Sequence, residues 1–337
     1  MLSEQELAVK MDGDGNIVGE GNKVTVLKAR TININLDSPV KTVSKPPPRI
    51  LTPPSAPQTG LRQNSKFQQI VQWVKRDQAR LFIGAGVSAA AGMPSTAQLL
   101  AALRAEAKAY GVLIPAGDSF PEAAQKMEKL VGRSLLVNIL RREFDDAALP
   151  MQPPAYERGA YRFIPYLPKL NRLMLTTNWD PLLKRAFEAA GESAREFWKN
   201  NQLAGIPAAD HAVLKLHGNF SDAESMIITE TDYVLAMQSI IKHTAGTLWG
   251  YAASLLAQYS FIFVGYSLSD PTMRLLQRMV KSATETWHKG IPHYFVTPFD
   301  EEARVAEQWG EVRAVVASPE DFFAALLEAL QEGVRDE

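Results

Sequence analysis

Cysteine is absent from all 337 residues. That excludes disulfides, thiolate-ligated zinc, iron–sulfur clusters and a thiol nucleophile in one step. A strong charge of either sign is missing too: 36 Lys and Arg stand against 37 Asp and Glu, a formal net charge of −1. No global basic field draws nucleic acid or an anionic membrane, so neither is an expected partner. Long apolar runs are also lacking. The most apolar stretch, residues 248–268, is interrupted by Gln258, Tyr259 and Ser260 and reads as a helix followed by a strand, not a membrane span. The first residues, Met1-Leu2-Ser3-Glu4-Gln5-Glu6, have neither the basic nor the apolar region of a secretory signal, and the expected location is cytoplasmic. What remains is a globular composition, 46% hydrophobic and 22% charged, in a chain long enough for a sizeable core.

Residues 1–36 differ in kind from the rest. Gly13-Asp14-Gly15-Asn16-Ile17-Val18 is echoed by Gly19-Glu20-Gly21-Asn22-Lys23-Val24, and Ile32, Ile34 and Leu36 alternate with polar residues. Alternation is the period of a half-buried strand, and units this short cannot bury an apolar face alone. The segment is therefore either a β-prone arm for assembly or docking, or a frayed arm rich in Gly and Asn. Residues 37–62 are a Pro-rich linker: seven of the 21 prolines fall between Pro39 and Pro57, a composition favouring extended polyproline II.

Residues 63–337 read as one α/β domain. Phe67, Ile70, Val71 and Val74 share a helix face leading into a strand at Leu81, and Ser95 with Gln98 forms a capping box for a helix carrying Leu99, Leu100 and Leu103. Helical periodicity over 121–144 and 156–170 predicts a helical insertion. Short strands are expected at 173–175, 213–216, 226–228, 261–264, 292–297 and 312–316, and Ser318-Pro319 opens a last helix with Phe322, Leu326 and Leu330 on its apolar face. Strands alternating with helices, several as near-continuous apolar runs, indicate a Rossmann-like parallel sheet with helices on both faces.

Polar residues and glycines collect just after these strands, where open α/β sheets build their sites. Leu81-Phe82-Ile83 runs into Gly84-Ala85-Gly86-Val87-Ser88, with Gly92 beyond: strand, tight turn, helix N-terminus. Such a turn suits the phosphates of a nucleotide, although many strand-to-helix turns use glycine only for backbone freedom. The other three strand ends are Thr176-Thr177-Asn178-Trp179-Asp180, Lys215-Leu216-His217-Gly218 and Gly265-Tyr266-Ser267-Leu268-Ser269-Asp270. Asp180 before Pro181, and Asp270 before Pro271, also suit helix N-caps.

Taken together and in this order, the four strand ends resemble the sirtuin-like NAD-binding domains, and more closely the bacterial sirtuin-like NADases of antiphage defence. Ile228-Thr229-Glu230-Thr231-Asp232-Tyr233, often found after the His-Gly pair in that family, adds to the likeness. The resemblance implies NAD as substrate, with no metal, and it implies roles. Gly84, Ala85, Gly86 and Ser88 would line the phosphates, and Gly92 and Thr177 would also contact NAD. Asn178 would contact the nicotinamide ribose and position the attacking group, Asp180 would face the carboxamide, and His217 would be the general base. Gly265 and Ser267, with Asp270 as a secondary contact, would hold the adenosine side.

Departures from the deacylases of this family weigh as much. Their four-cysteine zinc ribbon is missing, Ser95-Thr96-Ala97 stands where they have Asp-Phe-Arg, and Thr177 replaces their usual Gln. Water then becomes the acceptor, and hydrolysis of NAD to ADP-ribose and nicotinamide the expected reaction. The alternatives are a deacylase or ADP-ribosyl transferase using the same pocket, or a non-catalytic subunit sensing NAD or ADP-ribose. An NADase that kills its own cell needs control, so a homo-oligomer and a separate sensor or activator protein are the expected partners, in an abortive-infection role.

Overall fold

The protein is described from a computed structural model covering residues 59–148, 153–241, 246–266, 272, 275, 291–308 and 312–335. The arm at 1–36, most of the linker, Ser267 and Asp270 lie outside these described residues.

Among them seven strands form one sheet: β1 (Ala79–Ile83), β2 (Leu173–Thr176), β3 (Ala194–Phe197), β4 (His211–Lys215), β5 (Ser260–Val264), β6 (His293–Thr297) and β7 (Val312–Val316). Their spatial order is β3-β4-β2-β1-β5-β6-β7, and every pairing is parallel. The chain builds outward from β1 through β2 on one side, then crosses back to lay β5, β6 and β7 on the other. This reversal at β1 makes its C-terminal end the switch point, where doubly wound sheets open a crevice.

The helices are α1 (Thr59–Arg62), α2 (Ser65–Lys75), α3 (Ala85–Ala90), α4 (Thr96–Ala109), α5 (Phe120–Val131), α6 (Arg133–Ala148), α7 (Leu182–Ala189), α8 (Glu230–Ile241), α9 (Leu248–Gln258), α10 (Asp300–Glu307) and α11 (Pro319–Arg335). The last residues of the expected linker, Thr59–Arg62, are thus helical, and Arg62 pairs with Glu332 on α11. Side chains alternate across each strand. Leu81, Ile83, Met174, Val213, Ile262 and Val264 enter a core layer with Phe67, Ile70 and Phe322, while Phe82, Leu175, Leu214, Phe261 and Phe263 enter the opposite layer with Trp249, Leu255 and Leu256. Burial on both faces is why these strands read as continuous apolar runs.

Helices α4, α5 and α6 form the insertion, with its own core of Leu103, Met127, Leu136 and Leu140. The capping box at Ser95 and Gln98 is present as expected. Two expectations fail. Residues 226–228 join no strand: Met226 and Ile228 are buried under the insertion, and the Ile227 N–H donates to the His217 carbonyl (3.0 Å) instead of to a ladder. Residues 156–170 form no α-helix but three 3₁₀ turns, Ala155–Glu157, Gly159–Arg162 and Ile164–Tyr166, broken where Arg158 is extended and Pro165 removes a donor.

Candidate active site

Parallel register brings four strand ends to one edge at one level. Ile83 lies opposite Thr176 on one side and Val264 on the other, and Thr176 lies opposite Lys215. Neighbouring strands run about 4.8 Å apart. Gly84, Thr177, Gly265 and Leu216 therefore leave the sheet together, with Asn178 and His217 each one residue further on.

The glycine turn has a reason of its own. The Gly84 N–H donates to Val264 O (2.9 Å) and the Gly86 N–H to Gly265 O (2.7 Å). A Cβ on Gly84 would stand 2.4 Å from that Gly265 oxygen, and one on Gly86 would stand 2.8 Å from it. Gly265 holds φ +64°, and its own Cβ would meet Val87 N at 2.5 Å. The three glycines form a seam between the β1 and β5 turns in which backbone touches backbone. Gly84 is buried in it, whereas Ala85 and Gly86 are exposed, as is Gly92 at φ +99°.

After β2, Thr176 Oγ1 donates to Ile83 O (2.8 Å) and accepts from Asn178 N (3.0 Å), which folds the chain back over the end of β1. The Asn178 amide nitrogen then donates to Gly84 O (3.2 Å) and to Ser88 Oγ (2.9 Å). Asn178 is only 6% exposed, yet its Oδ1 has no hydrogen-bond partner among the described residues. A buried carbonyl oxygen left this way costs about 1–3 kcal/mol, so it marks the place where a donor belongs.

Asp180 has both oxygens engaged, Oδ1 by Leu182 N (3.0 Å) and Oδ2 by Ser88 Oγ (2.8 Å). The first contact turns the chain just ahead of α7, whose N-cap is Pro181 and not the expected Asp180; the second ties the carboxylate to the amide of Asn178 through one hydroxyl. Burial raises the Asp180 carboxyl above the ordinary carboxylate range, against the opposing pull of the Lys215 ammonium and these two donors. Thr177, half-buried, lies between Thr176 and Asn178.

After β4, His217 is 3% exposed, with Nε2 at 3.2 Å from Thr272 Oγ1 and its ring edge-on to Tyr233 and tilted against Trp249. Gly218 (φ +83°) carries the chain away, and a Cβ there would meet Ser225 O at 2.2 Å. The insertion clamps this return segment. Arg133 donates to the carbonyls of Ala223 and Met226 and pairs with Asp232, while Arg141 donates to Phe220 O. Among the described residues no group of three or more His, Asp or Glu is placed to hold a metal ion. None of their helices is long and apolar enough to cross a membrane.

Residues 172–316, from the start of β2 to the end of β7, match the SIR2-like domain family. Over these residues the chain is similar to that family. Three curated relatives, each named NAD(+) hydrolase ThsA, are similar to it at 26% identity. The protein from Acinetobacter baumannii aligns over 63% of this chain and 41% of its own length. The Bacillus cereus protein aligns over 63% and 42%, and the Enterococcus faecium protein over 66% and 44%. The chain thus spans about two fifths of the length of the relatives it matches.

The site has residues that the motifs do not reveal. Tyr161, fully buried on a 3₁₀ turn, puts its hydroxyl 2.7 Å from Ser88 Oγ. Lys215, also buried, donates to the carbonyls of Trp179 (2.8 Å) and Asp180 (2.6 Å) and pairs with Glu196 (3.2 Å), whose other oxygen accepts from Asn219. A Lys inside an otherwise apolar strand was the available signal for the second; nothing local marks the first.

Proposed function

We propose that this chain is an NAD glycohydrolase, converting NAD and water into ADP-ribose and nicotinamide. The observation that carries this reading is the Asn178 amide, buried at the switch point with its nitrogen tied down and its oxygen unpartnered among the described residues. The names of the three relatives lend it support.

In the reaction the water oxygen bonds to the anomeric carbon of the nicotinamide ribose. The carbon–nitrogen bond breaks, and its electron pair neutralises the pyridinium nitrogen. Positive charge develops on the sugar, as in other glycosyl transfers. Asn178 Oδ1 accepts a hydrogen bond from the attacking water or a ribose hydroxyl, and His217 takes the proton that water releases. In this reading the exposed turn at Ala85 and Gly86 takes the phosphates, Asp180 faces the nicotinamide carboxamide, and Gly265 serves the adenosine side. A role in antiphage defence, with activity released by self-assembly or by a separate sensor, extends the same reading and rests on the family resemblance.

Purified full-length chain incubated with NAD, alone and with the product of the neighbouring gene, tests it by chromatography of the products. The expected result is nicotinamide and ADP-ribose in equal amounts, falling about a hundredfold or more in Asn178→Ala and His217→Ala. Tight NAD binding with no turnover in any state would assign a sensing subunit instead. Product that depends on an acylated peptide would assign a deacylase.

A further inference from the structure

Three parts of the chain bring four side chains together: Ser88 on α3, Asn178 and Asp180 after β2, and Tyr161 on the Gly159–Arg162 turn. With Asp180 ionised, counting protons fixes the direction of each bond. Ser88 has one hydroxyl proton and two lone pairs. With Asp180 ionised, that proton goes to Asp180 Oδ2, which can only accept. The Ser88 lone pairs are then filled by the Asn178 amide at 2.9 Å and by the Tyr161 hydroxyl, which must donate across its 2.7 Å contact. The Tyr161 oxygen keeps its own acceptor side toward Asn178 Nδ2, at the long distance of 3.5 Å. Both amide protons thus face inward, to Gly84 O and Ser88 Oγ. A flipped amide would set its oxygen against the Gly84 carbonyl.

We propose that Tyr161 is a positioning residue that acts through Ser88 to hold the Asn178 amide with its oxygen outward. A phenylalanine keeps the ring and removes only the hydroxyl, which is what the network uses. Without it Ser88 loses a donor, its own proton can turn elsewhere, and the amide loses the constraint on its rotation. The proposal rests on the NAD-cleaving reading for its kinetic consequence, but not for its structural one.

Two readouts on full-length protein test it. In kinetics, Tyr161→Phe is expected to lower kcat about ten- to a hundredfold with KM changed by less than about threefold, because misorientation is felt at the transition state more than on binding. In an Asn178→Ala background the same change is expected to cost nothing further, since the group it orients is gone. In heteronuclear NMR, the Asn178 side-chain NH₂ protons, assigned by their loss in Asn178→Asp, are expected to exchange slowly in the wild type and much faster in Tyr161→Phe. Wild-type kcat in Tyr161→Phe, or losses that add in the double variant, would overturn the proposal. If the wild type cleaves no NAD, the glycohydrolase reading fails and the NMR comparison alone decides: unchanged exchange in Tyr161→Phe then overturns the positioning role.

Discussion

At the residue scale the site is governed by groups that touch backbone. Lys215 satisfies two carbonyls and one carboxylate inside the protein. Removing one partner of a buried ion pair leaves the other uncompensated, at a typical cost of about 3–5 kcal/mol. Lys215→Met is therefore expected to lower the unfolding free energy by about that amount in urea titration, with part recovered in Lys215→Met/Glu196→Gln. Gly84 is the second case. Its phosphate-binding role and its seam role make different predictions for Gly84→Ala: loss of ligand affinity in a stable fold, or loss of the fold's stability. With a Cβ placed 2.4 Å from the Gly265 carbonyl, a destabilisation of about 2 kcal/mol or more is expected even without ligand, read as a fall in melting temperature. The position of Gly84 is plain in the sequence, but its contact is not. Gly265 lies far along the chain, and nothing near either glycine says that the two backbones meet.

At the scale of elements, β6 brings a titratable group into the sheet. His293 is buried, its Nδ1 accepts from Phe261 N (3.1 Å) on β5, and the proton of the neutral ring is therefore on Nε2. Burial lowers its pKa from 6.5 to about 4. Between these values the unfolded chain binds a proton that the folded chain refuses, so stability falls as pH drops from about 6.5 to 4. The loss approaches about 3 kcal/mol at the acid end. Protonation would also place a hydrogen on Nδ1 facing the Phe261 N–H. Denaturant titrations from pH 7.5 to 4 are expected to show this slope and to lose most of it in His293→Phe. Element by element, what the sequence reveals tracks how much of each element is buried. The central strands β1, β2, β4 and β5 are apolar on both faces and legible. Edge strand β3, Ala194-Arg195-Glu196-Phe197, spends its middle residues on solvent and on the Lys215 pair, and carries too little apolar signal to be found. Residues 226–228 err the other way, since a buried apolar run under helices has the same composition as a strand.

At the scale of the molecule, the described domain has a core on each face of its sheet and a third within the insertion. Residues 1–36 are proposed to serve assembly rather than this core. Deleting them is expected to change the oligomeric mass in light scattering while leaving the melting temperature of the domain within a few degrees. The rim of the crevice is built from two unlike materials. On the β1–β5 side three glycines press backbone to backbone. On the β4 side the return segment is held by the guanidinium groups of Arg133 and Arg141 reaching carbonyl oxygens, contacts that a rotation about a few single bonds releases. Of the two walls, the glycine seam can loosen only if backbone moves against backbone, whereas the return segment after β4 can loosen when two side chains turn.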